Sequence, residues 1–344
     1  MSNISKKSLE LLRSATLKIL EYRQPAYSLR PEVLEIIGVL KNVSKFQINQ
    51  DRDIAKDETL TKNGLALSPT MAAMCADDYV RTIVFIRGLH DAIQDIRKCE
   101  SDRPIRILYV GSGPYATLAI PLMSVFSIEE VKFEILDLHR ESIESVRCLV
   151  EGLEFSEYVS NYEVIDAEYK QINPKEPPDI IIMEIMNTCL EKEPQVAITR
   201  HLLEQAPSAI MIPQSITIDA NLINTAKEFA VNTSGKKKAV SQRERIFLGK
   251  VFELSRETVN SWKNEPSDKL PASSIKITSP LGNDFQPMLF TRIQVYGNHH
   301  LSEYQSGLTC PKVFPFRDSI KRGETLKFYY RLGKHPGLLC ESFS

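Results

Sequence analysis

The sequence predicts an α/β protein in which a doubly wound parallel sheet lies between a helical N-terminal segment and an antiparallel β region. Apolar strands alternate with helices over residues 105–212, which is typical of a parallel sheet. The first 100 residues place apolar side chains at helical spacing. After Pro213, short alternating strands are separated by loops rich in Gly, Pro, Asn and Asp. We therefore expect a helical extension over residues 1–62, a sheet domain over 63–212 and a β-barrel or sandwich over 213–344.

Three helices are predicted in the N-terminal segment. Ser5 is a candidate cap for the first, Pro31 opens the second and Pro69 opens the third, because serine satisfies free N–H groups and proline fits the first turn. The third helix is apolar around Val80 to Ile86, so it should pack on the body of the protein. The polar stretch from Asn49 to Lys62 is predicted to be a loop or linker.

The sheet domain and the β region are predicted strand by strand. The expected parallel strands are Ile105–Val110, Val131–Leu136, Tyr162–Ile165, Asp179–Met183 and Ala209–Ile212. The expected helices between them are Ala116–Phe126, Arg140–Glu151 and Gln195–Gln205. The expected antiparallel strands are Ser215–Leu222, Ile246–Leu254, Ser274–Thr278, Leu289–Val295 and Leu326–Tyr330.

Composition excludes several classes of function. The 344 residues carry a net charge of −1, and the Lys236–Lys238 run is interpreted as a solvated loop, so no nucleic-acid partner is expected. Six cysteines without a C-x-x-C pair show neither a zinc pattern nor a disulfide framework, and no metal is expected. Without a signal peptide or a membrane-length apolar run, the chain is expected to be cytoplasmic and free of membranes.

A glycine turn follows the first strand of the sheet. Gly111 and Gly113 would let the backbone approach a ligand closely, although a plain strand–turn–helix junction is the alternative interpretation. Ala116 stands where a dinucleotide pattern has its third glycine, and Tyr115 before it would crowd a pyrophosphate. A ligand without phosphates is therefore favoured over NAD.

Acidic residues follow the next strands of the sheet. Asp137 ends the second strand, where a carboxylate can accept hydrogen bonds from ribose hydroxyls; an ordinary exposed Asp is the alternative. Ala167 and Glu168 come after the third strand and would line an adenine pocket, or else belong to a simple turn.

Two carboxylates surround a polar turn after the fourth strand. Glu184 ends the strand, and Glu193 follows nine residues later. Ligands of open α/β sheets bind at the carboxyl ends of the strands, so a hairpin there could bring both side chains into the site. Two carboxylates can hold a planar guanidinium, which offers donors on two edges. The alternative for Glu193 is a solvated hairpin charge.

Together these features resemble the class I S-adenosylmethionine-dependent methyltransferases, and in particular the protein arginine methyltransferases. Residues 183–193, MEIMNTCLEKE, resemble their double-glutamate hairpin S-E-x-M-G-x-x-L-x-x-E, with Met183 and Asn187 replacing the serine and glycine. Residues 78–82, DYVRT, resemble their D-x-V-R-T helix. Weaker resemblance lies in Met211–Pro213 and in the closing segments 308–314 and 319–324; the whole match covers about residues 65–344.

The resemblance implies a cofactor, a substrate class and a role for each site residue. The implied cofactor is S-adenosylmethionine, with a Rossmann-like sheet as its binding domain. The residues implied for cofactor binding are Arg81 (on the methionine carboxylate), Gly111, Gly113, Asp137, Ala167 and Glu168. The residues implied for a guanidino substrate are Glu184, Glu193 and Met186, the two glutamates also being catalytic.

Departures from the family pattern bear on the substrate. Tyr109 replaces an early aspartate, and Cys310 replaces the histidine of a threonine-histidine-tryptophan loop, for which His299 or His300 is a candidate substitute. The region between Ala220 and Ile275 is short for the family's dimerisation arm, while the N-terminal helices are extra and could form a homodimer interface.

These departures favour free L-arginine or another small guanidino metabolite as substrate. The free-arginine N-methyltransferases of nitrosourea biosynthesis resemble arginine methyltransferases with similar changes. Three alternatives stay open: a protein arginine N-methyltransferase, a non-catalytic scaffold that binds S-adenosylmethionine, and methylation of another amine or a hydroxyl.

Overall fold

The computed structural model describes residues 3–21, 23–48, 57–99, 102–232, 240–263, 265, 268–277, 285–315 and 323–343. Within these ranges the helices are α1 (Asn3–Leu20), α2 (Arg30–Ser44), α3 (Pro69–Cys75), α4 (Tyr79–Cys99), α5 (Ile120–Met123), α6 (Arg140–Gly152), α7 (Gln195–Gln205) and α8 (Arg256–Ser261). The Lys236–Lys238 run and most of segment 319–324 lie outside the described residues.

The first strands are a short pair, β1 (Thr59–Leu60) and β2 (Leu65–Ala66), followed by the five strands of the sheet domain. The latter are β3 (Ile105–Val110), β4 (Val131–Asp137), β5 (Val159–Val164), β6 (Ile180–Met183) and β7 (Ile210–Ile212). The C-terminal strands are β8 (Ser215–Asn224), β9 (Val231–Asn232), β10 (Val240–Ser241), β11 (Arg245–Ser255), β12 (Lys269–Lys276), β13 (Phe285–Tyr296), β14 (His299–Leu301), β15 (Lys312–Val313), β16 (Thr325–Arg331) and β17 (Gly337–Phe343).

The sheet domain is built on a five-stranded parallel sheet with the strand order β5-β4-β3-β6-β7. All four residues of β6 are buried, as expected for a strand covered on both faces. The strands β4 and β5 are added on one side of β3, and β6 and β7 on the other, so the strand order reverses between β3 and β6. There Val110 pairs with Met183 at the carboxyl ends. Open α/β sheets bind ligands at such a switch point. The predicted fold class is confirmed.

The described residues of the C-terminal region form two larger antiparallel sheets and the two-stranded pair of β9 and β10. One of the larger sheets has the order β11-β8-β13-β14, with β15 paired to β13, and the other has the order β12-β16-β17. Aromatic stacking joins them: the ring of Phe252 on β11 lies 4.9 Å from that of Tyr330 on β16 and 5.5 Å from that of Trp262. Such pairs stabilise a packed core beyond their buried area.

The N-terminal helices pack on the sheet domain of the same chain. Ile19 on α1 and Ile36 on α2 are fully buried. Arg87 on α4 donates from Nε to the carbonyl of Ile19 (2.7 Å) and from a terminal nitrogen to that of Gln24 (3.0 Å). The first bond satisfies a carbonyl that the end of α1 leaves free, and the second holds the segment that follows the helix. The homodimer interface suggested for these helices stays a prediction.

Two segments differ from their predicted structure. The described part of the polar linker, with the residues after it, forms the β1–β2 hairpin, whose strands are too short for a periodic signal. The helix expected over Ala116–Phe126 is reduced to turns and the short α5, because Ala116 has a φ of +42° and Pro121 lacks an N–H. Among the described residues, no helix is both long and apolar enough to cross a bilayer.

Candidate active site

A pocket lies at the switch point, where β3 and β6 end, with the end of β4 beside it. Among its lining residues are eight that the sequence singled out: Arg81, Gly111, Gly113, Asp137, Ala167, Glu184, Met186 and Glu193. Glu168 lies next to the pocket but does not line it. Arg81 and Glu193, which are 112 positions apart in the chain (193 − 81), are therefore brought to one cavity by the sheet and by α4.

The glycine turn forms one wall of the pocket. Gly111 has a φ of +72°, and a Cβ atom there would lie 2.2 Å from Cγ2 of Ile185. Gly113 has a φ of +57°, which side chains rarely adopt. Both glycines are thus required by backbone geometry, and they leave the turn open to a ligand.

Asp137 is held in place by the backbone at the end of β4. Its two carboxylate oxygens accept hydrogen bonds from the N–H groups of Gly113 and His139, each at 2.9 Å. A carboxylate has about four acceptor positions, so each oxygen keeps one for a ligand. The arrangement fits the predicted role of accepting from ribose hydroxyls.

Arg81 and Glu184 form an ion pair inside the pocket. Arg81 Nε lies 2.7 Å from Glu184 Oε1, without the alignment of a hydrogen bond, and a terminal nitrogen donates to the carbonyl of Cys75 at 3.1 Å. Burial is the largest single influence and acts to lower the pKa of Arg81, but Glu184, Cys75 and Asp78 together outweigh it, so the pKa is raised. Burial raises the pKa of Glu184, and Arg81 opposes that rise. The guanidinium is therefore charged at neutral pH.

Glu193 is the second carboxylate of the pocket, and its side chain has no hydrogen-bond or ion-pair partner among the described residues. It is only 6% exposed. Burial raises its pKa to about 8; Arg81 lowers it, and the charge of Glu184 raises it further. A buried carboxylate without a partner is costly to ionise, and a cation bound beside it would remove that cost.

The C-terminal sheets hold the segment that carries the two glutamates. Tyr330 donates its hydroxyl to the carbonyl of Leu190 at 2.6 Å. Thr188 donates to the carbonyl of Gly307 at 2.9 Å, and the N–H of Cys189 donates to Thr291 Oγ1 at 3.0 Å. These contacts fix the backbone of residues 188–190, and none of the three involves a histidine in place of the loop histidine that Cys310 replaces.

Neither candidate histidine replaces that residue. His299 pairs with Asp91 on α4 at 2.7 Å, and the ring of His300 lies 3.1 Å from the carbonyl oxygen of Asn298. The loop acts on the site through Asp78 instead, which accepts from Ser306 Oγ at 2.6 Å and from the N–H of Gly307 at 3.0 Å. This contact anchors the first turn of α4, from which Arg81 projects.

Glu168 holds the β1–β2 hairpin, a role that the sequence did not indicate. Its carboxylate accepts from the backbone N–H of Asn63 (3.1 Å) and from the side-chain amide of Asn63 (2.7 Å). The hairpin also donates from the N–H of Leu65 to the carbonyl of Lys192 at 2.7 Å. Further lining residues missed by the sequence analysis come from it: Thr61, Leu65, Ala66 and Leu67.

The two tyrosines near the glycine turn point in different directions. Tyr109 is buried and lines the pocket at the end of β3. Tyr115 lies outside the pocket lining, with its ring edge-on to Phe46 at 5.9 Å. The expectation that Tyr115 would crowd a ligand is therefore wrong, because its side chain packs against the segment after α2.

The parallel sheet, its switch-point pocket and the appended antiparallel sheets define a class I methyltransferase fold. No protein-family model and no curated protein matches the chain. The chain is similar in structure to one described as "Trypanosoma brucei PRMT1 enzyme-prozyme heterotetrameric complex with AdoHcy", with a TM-score of 0.51, 13% identity, and coverage of 80% of this chain and 98% of that chain. This likeness shows that the fold is that of the protein arginine methyltransferases.

Two further solved structures are less similar. One is Arabidopsis thaliana protein arginine methyltransferase 10, with a TM-score of 0.44, 13% identity, and coverage of 72% of this chain and 84% of that chain. The other is PRMT6, with a TM-score of 0.42, 9% identity, and coverage of 74% and 95%.

Proposed function

We propose that the protein is an S-adenosylmethionine-dependent N-methyltransferase that acts on the guanidino group of free L-arginine or of a small guanidino metabolite. The observation that carries this proposal is the buried carboxylate of Glu193, which has no partner among the described residues and shares a pocket with Glu184, the glycine turn and Asp137. Glu193 lacks the cation that would stabilise its charge, and the turn and the aspartate suit a nucleoside.

The residues on the other side of the pocket fit the cofactor. Asp137 keeps free acceptor positions for ribose hydroxyls, the open turn at Gly111 and Gly113 leaves room for the sugar and the methionine chain, and Arg81 is a cation for its carboxylate. Ala167 lines the expected adenine end. Bound there, the cofactor would supply an electrophilic methyl group on a sulfonium sulfur.

The glutamates align the substrate and receive its proton. Arginine is protonated in water, so its guanidinium enters as a cation that Glu184 and Glu193 can each contact through N–H donors. This alignment places one nitrogen for attack on the methyl group. The transfer leaves an extra proton on the guanidino group. A bound substrate cation favours the ionised form of Glu193, and that carboxylate could then accept the proton.

The proposal is tested by replacing Glu184 with glutamine. Glu184→Gln should nearly abolish methyl transfer to L-arginine while the affinity for S-adenosylmethionine stays within a few-fold, because the amide keeps the shape but loses the charge. Glu191→Gln, on the same segment but outside the pocket lining, should keep the activity. Radiolabelled methyl transfer and calorimetry measure both quantities. Unimpaired methylation by Glu184→Gln would contradict the proposal.

A protein substrate is the second candidate, supported by the coverage of nearly the whole chain of the Trypanosoma brucei structure. The small substrate is supported by the β1–β2 hairpin, which lines the pocket and contacts the backbone beside Glu193. Incubation with labelled cofactor and either L-arginine or arginine-rich peptides separates the two. Failure of the protein to bind S-adenosylmethionine in calorimetry would favour the scaffold. Substrate profiling with the same labelled cofactor tests other amines and hydroxyls as methyl acceptors.

A further inference from the structure

The substrate carboxylate Glu184 is already occupied by a guanidinium of the protein itself. Arg81 Nε lies 2.7 Å from Glu184 Oε1, and both side chains are largely buried. The proposed function assigns Arg81 to the cofactor carboxylate and Glu184 to the substrate cation. While Arg81 and Glu184 remain paired with each other, Arg81 cannot bind the cofactor carboxylate and Glu184 cannot bind the substrate cation.

We propose that Arg81 is an exchangeable counter-ion, which covers Glu184 until a cofactor carboxylate takes over its guanidinium and so frees Glu184 for the substrate. This inference rests on the proposed function and adds an order to it: the cofactor completes the substrate site. Arg81 is a positioning residue for the substrate as well as a contact for the cofactor.

The charges of the pocket support this exchange. Without cofactor, a substrate guanidinium at Glu184 would have to lie against the guanidinium of Arg81, and like charges repel strongly in a buried site. A carboxylate on the other side of Arg81 offers it a second partner and reduces that conflict. The two ligands should therefore bind cooperatively, each strengthening the other by the same factor.

The start of α4 is held in place by hydrogen bonds, so the exchange concerns the Arg81 side chain and not the helix. Asp78 accepts hydrogen bonds from Ser306 and Gly307, and its other oxygen accepts from the N–H of Arg81 at 3.3 Å. The helix start is thus tied to the C-terminal region. The proposed exchange is therefore a movement of the Arg81 side chain from Glu184 to the cofactor carboxylate, and not a movement of the helix.

The test compares two nucleosides that differ in the carboxylate. Binding of L-arginine, and in parallel of the peptide Gly-Arg-Gly, is measured by calorimetry on the full chain alone, with S-adenosylhomocysteine, and with 5′-methylthioadenosine, which keeps the nucleoside and sulfur but lacks the amino-acid tail. We expect S-adenosylhomocysteine to strengthen guanidinium binding about tenfold, within the usual range of site coupling. We expect 5′-methylthioadenosine to leave that binding within twofold of the free protein.

A variant removes the internal cation. Arg81→Met should bind the guanidinium probe more tightly than wild type in the absence of nucleoside, and S-adenosylhomocysteine should no longer strengthen that binding. Arg97→Met, on the same helix but outside the pocket lining, should keep the wild-type pattern.

Equal enhancement by both nucleosides, or none by either, would overturn the exchange while leaving the guanidino substrate in place. If neither probe binds in any state and no methyl transfer to a guanidine is found, the proposed function fails, and the exchange fails with it. The wild-type comparison decides the matter even if Arg81→Met does not fold.

Discussion

Replacing Glu193, a buried carboxylate to which the described part of the chain offers no partner, should stabilise the protein, and more so as the pH rises. The native state keeps the proton of Glu193 up to about pH 8, whereas an ordinary glutamate releases it near 4.5. Between these values the native state binds more protons than the unfolded chain, so the free energy of unfolding falls as the pH increases. At about 1.36 kcal/mol per pH unit, the full interval is worth roughly 4–5 kcal/mol.

Glu193→Gln removes this pH-dependent loss of stability, since an amide does not ionise. The variant and wild type should have similar free energies of unfolding near pH 4.5, and the variant should be more stable by several kcal/mol at pH 8 to 9. Urea denaturation at pH 5, 6.5 and 8.5 measures the difference. Glu204→Gln, at an exposed position on α7, is the matched control and should follow wild type at every pH. Parallel pH profiles for wild type and Glu193→Gln would refute the description of Glu193 as buried and unpaired.

Two further predictions concern the backbone around the site. Gly111→Ala should lower the free energy of unfolding by more than about 1 kcal/mol and weaken nucleoside binding, because its Cβ would collide with Ile185 at a φ of +72°. Gly38→Ala, in α2, should instead raise the free energy of unfolding by about 0.5–1 kcal/mol, because no atom lies within 4 Å of the added Cβ. Calorimetry compares the two variants. Tyr330→Phe should cost about 1–3 kcal/mol in denaturation experiments, because it leaves the carbonyl of Leu190 without its donor; an unchanged midpoint would contradict this role for Tyr330.

The parts of the fold that were predicted correctly rest on local signals. The bounds of β3 and α7 match the prediction residue for residue, since a proline precedes each of them and β3 is also a mostly apolar run. The site residues on β3, β4 and β6 follow from a general rule, that ligands bind at the carboxyl ends of parallel strands. Gly111, Asp137 and Glu184 could therefore be placed in one pocket without knowing the structure.

The parts that were missed depend on contacts between distant segments. Glu168 was expected at the adenine end, but its carboxylate is used by Asn63, which lies 105 residues away in the chain. The β1–β2 hairpin could not be predicted to cover the pocket, since each of its strands has only two residues. Nothing local to Tyr115 shows whether its ring faces the ligand or Phe46.

The segment carrying the two glutamates shows why the C-terminal sheets matter to the site. Cys189, Leu190 and Lys192 all have positive φ values, between 56° and 66°, which cost free energy in residues other than glycine. Such a backbone persists only when its surroundings hold it, and here Thr291, Tyr330 and the carbonyl of Gly307 supply the bonds. The position of Glu193 relative to Glu184 is therefore determined by residues about 100 or more positions further along the chain. Changes in the C-terminal sheets should alter substrate binding as directly as changes in the pocket itself.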